Sequence, residues 1–532
     1  MKKLQVWLPL LFAIVMMVGM VIGFRLRGNL RPNGFFLTRQ QTPVQEVMDL
    51  ISMKYVDSVA SDSLNDDAID GMLTHLDPHS IYIPPTDVSE VNEDLQGNFE
   101  GIGVEFEIFD DTVNVINVLP GGPSEKAGLR VGDKFLKVGD SVVAGNGISN
   151  DKIRRLLRGP GASQVTVTLL RIGQPDTPVQ ALITRGMIPL PSVDVAYMIN
   201  KETGYIHINK FSETTHAEFA QAMLRLQQQG LRRLILDLRG NGGGILQESI
   251  EIADDFLDGD KLIVYTVGAR SPKVEYRCRR DGLFEKGKLA LLTDEGTASA
   301  SEVLTGALQD WDRATIIGRR TFGKGLVQEQ YQLSDGGALR LTIARYYTPT
   351  GRSIQKPYNK GHEAYDEEVM RRFHDGEVLH GDSGARHTGP AYRTLGPEKR
   401  IVYGGGGITP DIFIGFDTST LSRSTTTLYL DGTINRFIYA YYIQHLPAFQ
   451  AFKTPADFVA HYKDDDQLLR GLSAYAAKDT VNLQAISPRE KDLLRHRLKA
   501  LMARQIWRTE GYFEVSNTSD PVVARALEVV DK

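Results

Sequence analysis

One cysteine, Cys278, stands in 532 residues, which rules out an internal disulfide framework and any cluster of thiolate metal ligands. Charge of one sign is scarce too. Against 66 acidic residues there are 61 basic ones, for a net charge of −5, so no phosphate-binding surface covers the whole molecule. The 51 glycines and 23 prolines follow no repeat period, which excludes a solenoid or a collagen-like rod. His362-Glu363 opens like a zinc-protease helix, but Asp366 stands where the second histidine should be. Asp237-Leu-Arg-Gly-Asn-Gly-Gly-Gly lacks the third glycine of a dinucleotide fingerprint, since Ile245 occupies that position. It also lacks the lysine–serine/threonine pair of a phosphate loop. What is present is a folding chain, 42% apolar and 24% charged, long enough for two to four domains.

Only one long uncharged run occurs, Leu4–Phe24, preceded by Lys2 and Lys3. At about 1.5 Å per residue in a helix it spans the hydrocarbon of a bilayer, and no small-x-small cleavage site follows it. The expectation is an uncleaved membrane anchor. Arg25, Arg27 and Arg31 follow the run, and the positive-inside count alone slightly favours a cytoplasmic body.

Residues 41–95 carry apolar residues at helical spacing, among them Val44, Val47, Met48 and Ile51. His75 and His79 are four apart, but Pro78 lies between them and breaks a helix, so a turn is expected rather than a zinc pair. From Gly97 the period changes to two, with strands expected over 100–108, 112–118, 135–138 and 164–171 and a helix over 151–157. Pro189 and Pro191 close this β-rich module. Next come a strand over 204–208, a helix over 215–229 and a buried strand from 233, a βαβ-like unit. Further strands are expected at 262–267, 288–292, 314–317, 325–331 and 338–346, with a helix at 300–311. Residues 356–400 are charged, hold four of the eleven histidines and lack apolar periodicity; they read as an inserted loop. Beyond 420 the pattern is helical, with a capping box at Ser487-Pro488-Arg489-Glu490. The basic residues Lys491, Arg495, Lys499 and Arg504 of that last region read as a solvated face, and no nucleic-acid partner is expected.

Three clusters hold candidate chemistry. The glycine-rich turn after Asp237 presents successive backbone amides to a negative charge, either an oxyanion or a phosphate. Thr297-Ala-Ser299-Ala-Ser301-Glu302 precedes an amphipathic helix; Ser299 and Glu302 have capping-box spacing, and a serine at a helix start is also well placed as a nucleophile. Thr321-Phe-Gly-Lys324-Gly-Leu-Val-Gln328 lies one helix and one strand later, and alternation sets Lys324, Leu326 and Gln328 on one strand face. To act as a general base Lys324 must lose about 3 pKa units, roughly 4 kcal/mol of desolvation and positive potential. Gln328 then orients the amine. His207 and His216 read as structural.

These segments resemble the carboxyl-terminal processing proteases, also called tail-specific proteases. Leu76-Asp-Pro-His-Ser, Phe99-Glu-Gly-Ile-Gly-Val, Gly122-Pro-Ser-Glu-Lys-Ala-Gly-Leu and the two Ser299 and Lys324 segments run in family order. Tyr347-Thr-Pro-Thr-Gly-Arg-Ser-Ile-Gln and Gly407-Ile-Thr-Pro-Asp-Ile complete the set. The resemblance implies Ser299 as nucleophile, Lys324 as general base and Gln328 as its orienter. It implies an oxyanion hole from the amide of Ala300 and one from the glycine turn, Gly243. Two departures stand out: Gly242 where the family often has proline, and Thr297 where it often has serine. The implied fold is multidomain α/β (α+β), a ClpP/crotonase-like protease core with an inserted PDZ domain and helical N- and C-terminal regions. The expected parts are an anchor at 1–24, a helical region at 25–95, a PDZ domain at 96–185, a core at 186–417 with the 356–400 insertion, and a helical region at 418–532.

In the PDZ resemblance, Gly101-Ile102-Gly103-Val104 is the loop whose amides bind a protein's C-terminal carboxylate while the substrate adds as a strand. An apolar last side chain is expected, with Ile102 and Val104 presented by the loop. The implied whole is a membrane-anchored serine endopeptidase with a Ser–Lys pair that cuts proteins near their C-termini and needs no metal or organic cofactor. Its body would lie on the extracytoplasmic side of the cell (inner) membrane. Protein C-termini are the expected partners, and a homo-oligomer or an activating adaptor is compatible with the sequence. A catalytically silent peptide-binding scaffold is the rival reading, and intact Ser299, Lys324 and Gln328 argue against it.

Overall fold

A computed structural model of the chain describes residue 7 and residues 12–22, 42–380, 389–415 and 422–532, save 464, 480 and 484. It divides into two compact units, Met1–Met72 and Leu73–Lys532. The expected anchor lies partly outside the described residues. Residues 12–22 are helical, and among the described residues no helix is long and apolar enough to cross a membrane. The rest of the first unit holds helix Pro43–Lys54, whose N-cap Thr42 accepts from the Gln45 N–H, and nearly all of helix Ser61–Leu73.

The second unit is organised around a six-stranded sheet. In spatial order its strands are Val193–Met198, Thr203–Ile208, Arg233–Asp237, Lys288–Thr293, Thr315–Gly318 and Ile412–Phe413. Only the first pair is antiparallel; each later pair is parallel. Parallel strands need crossovers and are buried on both faces, which is why these segments read as nearly continuous apolar runs. Leu234, Leu236, Leu289, Leu291 and Ile316 face a core shared with helices Thr215–Gln228, Leu246–Asp254 and Ala300–Asp310. Their alternates Ile235, Ala290, Leu292 and Ile317 face Val522, Val523, Ala526 and Val530 of the C-terminal helix Pro521–Asp531.

A second, antiparallel sheet stands beside the first. Its long strand Ala338–Tyr347 pairs with Ile81–Ile83, Leu262–Val267 and Leu326–Gln332. The β-rich module holds strands Val104–Phe109, Thr112–Val118, Lys134–Val138, Gln164–Arg171 and Gln174–Thr184 in that spatial order. Val113, Val115, Phe135, Ile153, Val167 and Leu169 fill its core, and Asn98–Gly101 pairs with Gly186–Pro189 where the chain enters and leaves. Beyond 422 the structure is helical, and Ser487 with Glu490 forms the capping box expected there.

The stretch 356–400 is not a plain loop. It contains helix His362–His374, helix Glu377–His380 and strand Ala391–Arg393, which pairs with Ile401–Tyr403. The longer helix buries only Tyr365 and Arg372 of its 13 residues. One of those is charged, so no apolar period could announce the helix.

Candidate active site

Arg233–Asp237 and Lys288–Thr293 are parallel neighbours, with Asp237 opposite Leu292. The loops leaving their carboxyl ends therefore emerge side by side, at the edge where open α/β sheets place their ligands. The first is the glycine-rich turn and the second leads to Ser299. Side chains stitch the two together. The Thr297 hydroxyl donates to the Leu238 carbonyl (2.9 Å), Ala298 N–H donates to the Asn241 carbonyl (2.9 Å), and the Ser301 hydroxyl donates to that same carbonyl (3.0 Å). Threonine at 297 thus makes the hydroxyl contact that a serine would make. At Gly243 an added Cβ would lie 2.8 Å from the Ser299 Cβ, so only glycine lets the turn approach so closely.

Ser299 caps helix Ala300–Asp310 with φ 56° and ψ −116°, a backbone conformation that non-glycine residues rarely adopt. The capping box expected from Ser299 and Glu302 is present. Its glutamate does more than cap. The Glu302 carboxylate accepts from Ser299 N–H (2.9 Å), Lys324 N–H (2.8 Å), Gly323 N–H (2.8 Å) and the Thr321 hydroxyl (2.5 Å). Full burial pushes its carboxyl up to about 7 despite these four donors. On the opposite side of the backbone the Tyr346 hydroxyl lies 3.0 Å from the Ser299 carbonyl and 2.5 Å from the Lys324 carbonyl. One carboxylate therefore holds both N–H groups, and one phenol proton is shared between both carbonyls, with the shorter contact to Lys324.

Lys324 sits in the loop before strand Leu326–Gln332, so the strand face expected to carry Lys324, Leu326 and Gln328 begins only at Leu326, and a register shift falls between Val327 and Gln328. Nevertheless Lys324 Nζ donates to Gln328 Oε1 at 3.1 Å. Burial lowers the lysine pKa, helped by the positive charge of Arg340 and opposed by Asp77 and Glu302. Gln328 in turn donates its Nε2 to the His79 carbonyl. That carbonyl belongs to a turn held by Asp77, whose carboxylate accepts from His79 N–H (3.0 Å), the Ser80 hydroxyl (2.7 Å) and the Thr342 hydroxyl (2.9 Å). Burial would raise the Asp77 pKa, but these donors hold it below the usual aspartate value. The His79 ring is turned toward the Tyr365 hydroxyl (2.8 Å), and burial with the nearby Lys324 charge lowers its pKa to about 4.

Among the described residues no hydrogen bond joins Ser299 to Lys324. Among the described residues neither Ala300 N–H nor the N–H of the exposed Gly242 has an acceptor, whereas Gly243 N–H donates to Asn241 Oδ1 (2.9 Å) within the turn. The open Ala300 amide, at the helix start next to Ser299, can accept an anionic oxygen. His207 pairs with Asp194 (2.6 Å) and His216 with Asp255 (3.0 Å), both away from this cluster. Among the described residues no group of three or more ligating side chains is arranged to hold a metal ion.

In the β-rich module Gly103 has φ 75°, and its carbonyl accepts from Leu119 N–H (3.0 Å) while that of Ile102 accepts from Ser124 N–H (2.9 Å). Among the described residues neither Ile102 N–H nor Gly103 N–H has an acceptor. Ile102 is not presented as expected: it is 2% exposed and belongs to the module's core, with Val104 packed partly against it. A loop anchored by two carbonyls draws its one large apolar side chain inward.

Peptidase family S41 matches residues 202–362, a PDZ domain matches 115–171, and the N-terminal domain of the activating protease CtpB matches 36–86. A family of unknown function matches 425–508. A carboxy-terminal-processing protease of Bartonella bacilliformis is 33% identical over 314 residues, which cover 58% of this chain and 71% of the relative. The chain belongs to the carboxy-terminal-processing proteases. A probable CtpA-like serine protease of Staphylococcus aureus is 35% identical over 331 residues, 61% of this chain and 65% of that protein, so the match spans just under two thirds of its length. Among solved structures, a photosystem II D1 C-terminal processing protease is 31% identical, covers 59% of this chain and 89% of its own, and has a TM-score of 0.34. As a carboxy-terminal-processing protease the chain is a serine peptidase with a PDZ domain, and its fold is the mixed α/β arrangement expected of the family.

Sequence reading missed the residues that hold the pair in place. Thr321, Asn241 and the Asp77 turn lie inside recognised motifs but had no role assigned to them, Tyr346 carried none, and Glu302 read only as a cap. Their spacing along the chain gives no hint that they converge.

Proposed function

We propose that this serine peptidase cuts proteins near their C-termini by a Ser–Lys mechanism. The observation that carries the reading is the shared frame around Ser299 and Lys324, with both N–H groups on Glu302 and both carbonyls on the Tyr346 hydroxyl. Such a frame fixes two backbone positions 25 residues apart and leaves their side chains to meet. Neutral Lys324, oriented by Gln328, takes the proton of Ser299 Oγ as that oxygen attacks the scissile carbonyl. The oxyanion is received by Ala300 N–H and by the glycine turn, through Gly242 as it stands or through Gly243 once it leaves Asn241. Protonated Lys324 then gives its proton to the leaving amine, and water, deprotonated by Lys324 in turn, resolves the acyl-enzyme.

The absence of a Ser299–Lys324 hydrogen bond supports a resting state that substrate must complete. The PDZ loop Gly101–Val104 is the proposed sensor: its unbonded Ile102 and Gly103 amides suit a C-terminal carboxylate, and strand Val104–Phe109, the edge of its sheet, suits an added peptide strand. The uncharged run Leu4–Phe24 supports a membrane-anchored protein with its body on the extracytoplasmic side. Membrane fractionation with external protease digestion tests that placement.

The mechanism is tested by cleavage of an unfolded protein bearing an apolar C-terminal tail. Wild type should cleave it, while Ser299→Ala and Lys324→Ala should be inactive yet folded. Equal cleavage by all three would refute the pair.

A further inference from the structure

The 356–400 insertion reaches into the neighbourhood of Lys324. Arg372, on helix His362–His374, is 3% exposed. Its guanidinium donates to three successive carbonyls, those of Arg320 (3.3 Å), Thr321 (2.8 Å) and Phe322 (3.0 Å), which immediately precede Gly323-Lys324. Its Nε pairs with Glu368 one turn back at 2.8 Å. A rigid planar fork that bonds several acceptors at once immobilises a loop in a way a single ammonium cannot.

The same helix braces the far side of Lys324. Its Tyr365 hydroxyl bonds the His79 ring (2.8 Å) and accepts from Gln355 Nε2 (3.4 Å), while Gln355 Oε1 accepts from Gly325 N–H (2.8 Å). Between the two ends lies Lys356. Its N–H donates to the Gly323 carbonyl (2.9 Å), and its ammonium lies 3.8 Å from the Phe322 ring centre and 4.1 Å from that of Tyr365. The helix thus grips the backbone before Lys324 through Arg372 and the backbone after it through Tyr365 and Gln355. Its chain position gives no reason for this; its two buried side chains do.

We propose that Arg372 is a positioning residue for the general base, and that helix His362–His374 is a working part of the active site, holding the Lys324 loop in the geometry that keeps its amine away from water. The proposal rests on the Ser–Lys reading. Arg372 touches neither Ser299 nor the Lys324 amine and acts only through the loop backbone. The charged and titratable groups that face that amine are Arg340 from strand Ala338–Tyr347, Asp77 and His79 from the turn, and Glu302 from the helix after Ser299. Loosening the loop lets the amine reach water and raises its pKa toward that of free lysine.

The test is the rate at which an alkyl fluorophosphonate phosphonylates Ser299 in the full chain, measured from pH 6 to pH 10. In that step the Oγ–P bond forms, the P–F bond breaks with loss of fluoride, and the hydroxyl proton passes to Lys324. Arg372→Met should shift the pH of half-maximal rate upward by about one unit and slow labelling at neutral pH by about tenfold, converging on wild type at high pH. Arg372→Lys, which keeps a cation beside Glu368, should fall between the two. If Arg372→Met does not fold, Arg372→Lys decides the matter. Arg371→Met, on the exposed side of the same helix, should match wild type. A wild-type pH profile and rate in folded Arg372→Met, or in Arg372→Lys when that variant has to decide, would overturn the proposal. Lys324→Ala that labels with an unchanged profile would instead overturn the Ser–Lys reading itself.

Discussion

The backbone at Ser299 supplies a test that needs no substrate. Ser299 has φ 56°, a value that costs a side-chain-bearing residue about 1–3 kcal/mol and costs glycine little. The surroundings enforce it, since Ser299 N–H is tied to Glu302 and Ser299 carbonyl to Tyr346. Ser299→Gly should release this strain, whereas Ser299→Ala keeps it. Glycine gives back about 0.5–1 kcal/mol through the greater freedom of its unfolded chain. As an N-cap it is better than alanine by about half a kcal/mol. The balance favours glycine by about 1–2 kcal/mol, or roughly 1–2 °C in unfolding temperature when residues 73–532 unfold together. Both variants lack the hydroxyl, so self-cleavage cannot distort the comparison. Calorimetric scans of the two full-length proteins provide the measurement. If Ser299→Gly unfolds at or below Ser299→Ala, the fold does not hold residue 299 against its own preference, and the strain argument fails.

Three further outcomes follow from other contacts. Asp77→Ala removes the acceptor of three hydrogen bonds in the turn that carries the His79 carbonyl and should destabilise the protein by about 2–4 kcal/mol in urea unfolding. Because the folded Asp77 pKa lies below its unfolded value, that contribution is present above the unfolded pKa and is lost as pH falls through the folded one. Wild type should therefore lose more stability than Asp77→Ala when titrated below about pH 4. Gly244→Ala would place a Cβ 2.0 Å from the Phe211 carbonyl oxygen at φ 138°; acylation should drop by more than tenfold, and a variant with wild-type labelling would show that the turn is freer than its contacts imply. Gly103→Ala combines φ 75° with a Cβ 3.0 Å from Ile188, so titration with a fluorescent peptide ending in an apolar residue should show binding about tenfold weaker, with Ser299 labelling by a small fluorophosphonate unchanged.

Local chemistry made much of the molecule legible before any coordinates. The parallel strands were readable because burial on both faces leaves runs such as Arg233-Leu-Ile-Leu-Asp uninterrupted by polar alternation. The capping boxes at Ser299 and Ser487 were readable because a serine and a glutamate three residues apart solve a local problem, the orphan amides of a helix start. Ser299, Lys324, Gln328 and the glycine turn stood out for the same reason, since each motif is compact in sequence and chemically suggestive by itself.

Tertiary structure alone decided what holds them. Glu302 collects donors from residues 299 to 324, Tyr346 spans the same two positions from another strand, and Asp77 supports Gln328 across some 250 residues of chain. The helix at 362–374 escaped notice because its inward face is a tyrosine and an arginine, and a charge is buried only where partners elsewhere neutralise it and accept its protons. Ile102 turned inward because two carbonyl bonds set its loop. A side chain's type determines what it can do within a turn or two of its own backbone. Its long-range partners are chosen by how the sheets and helices pack, and that choice sets which of these residues serve the reaction.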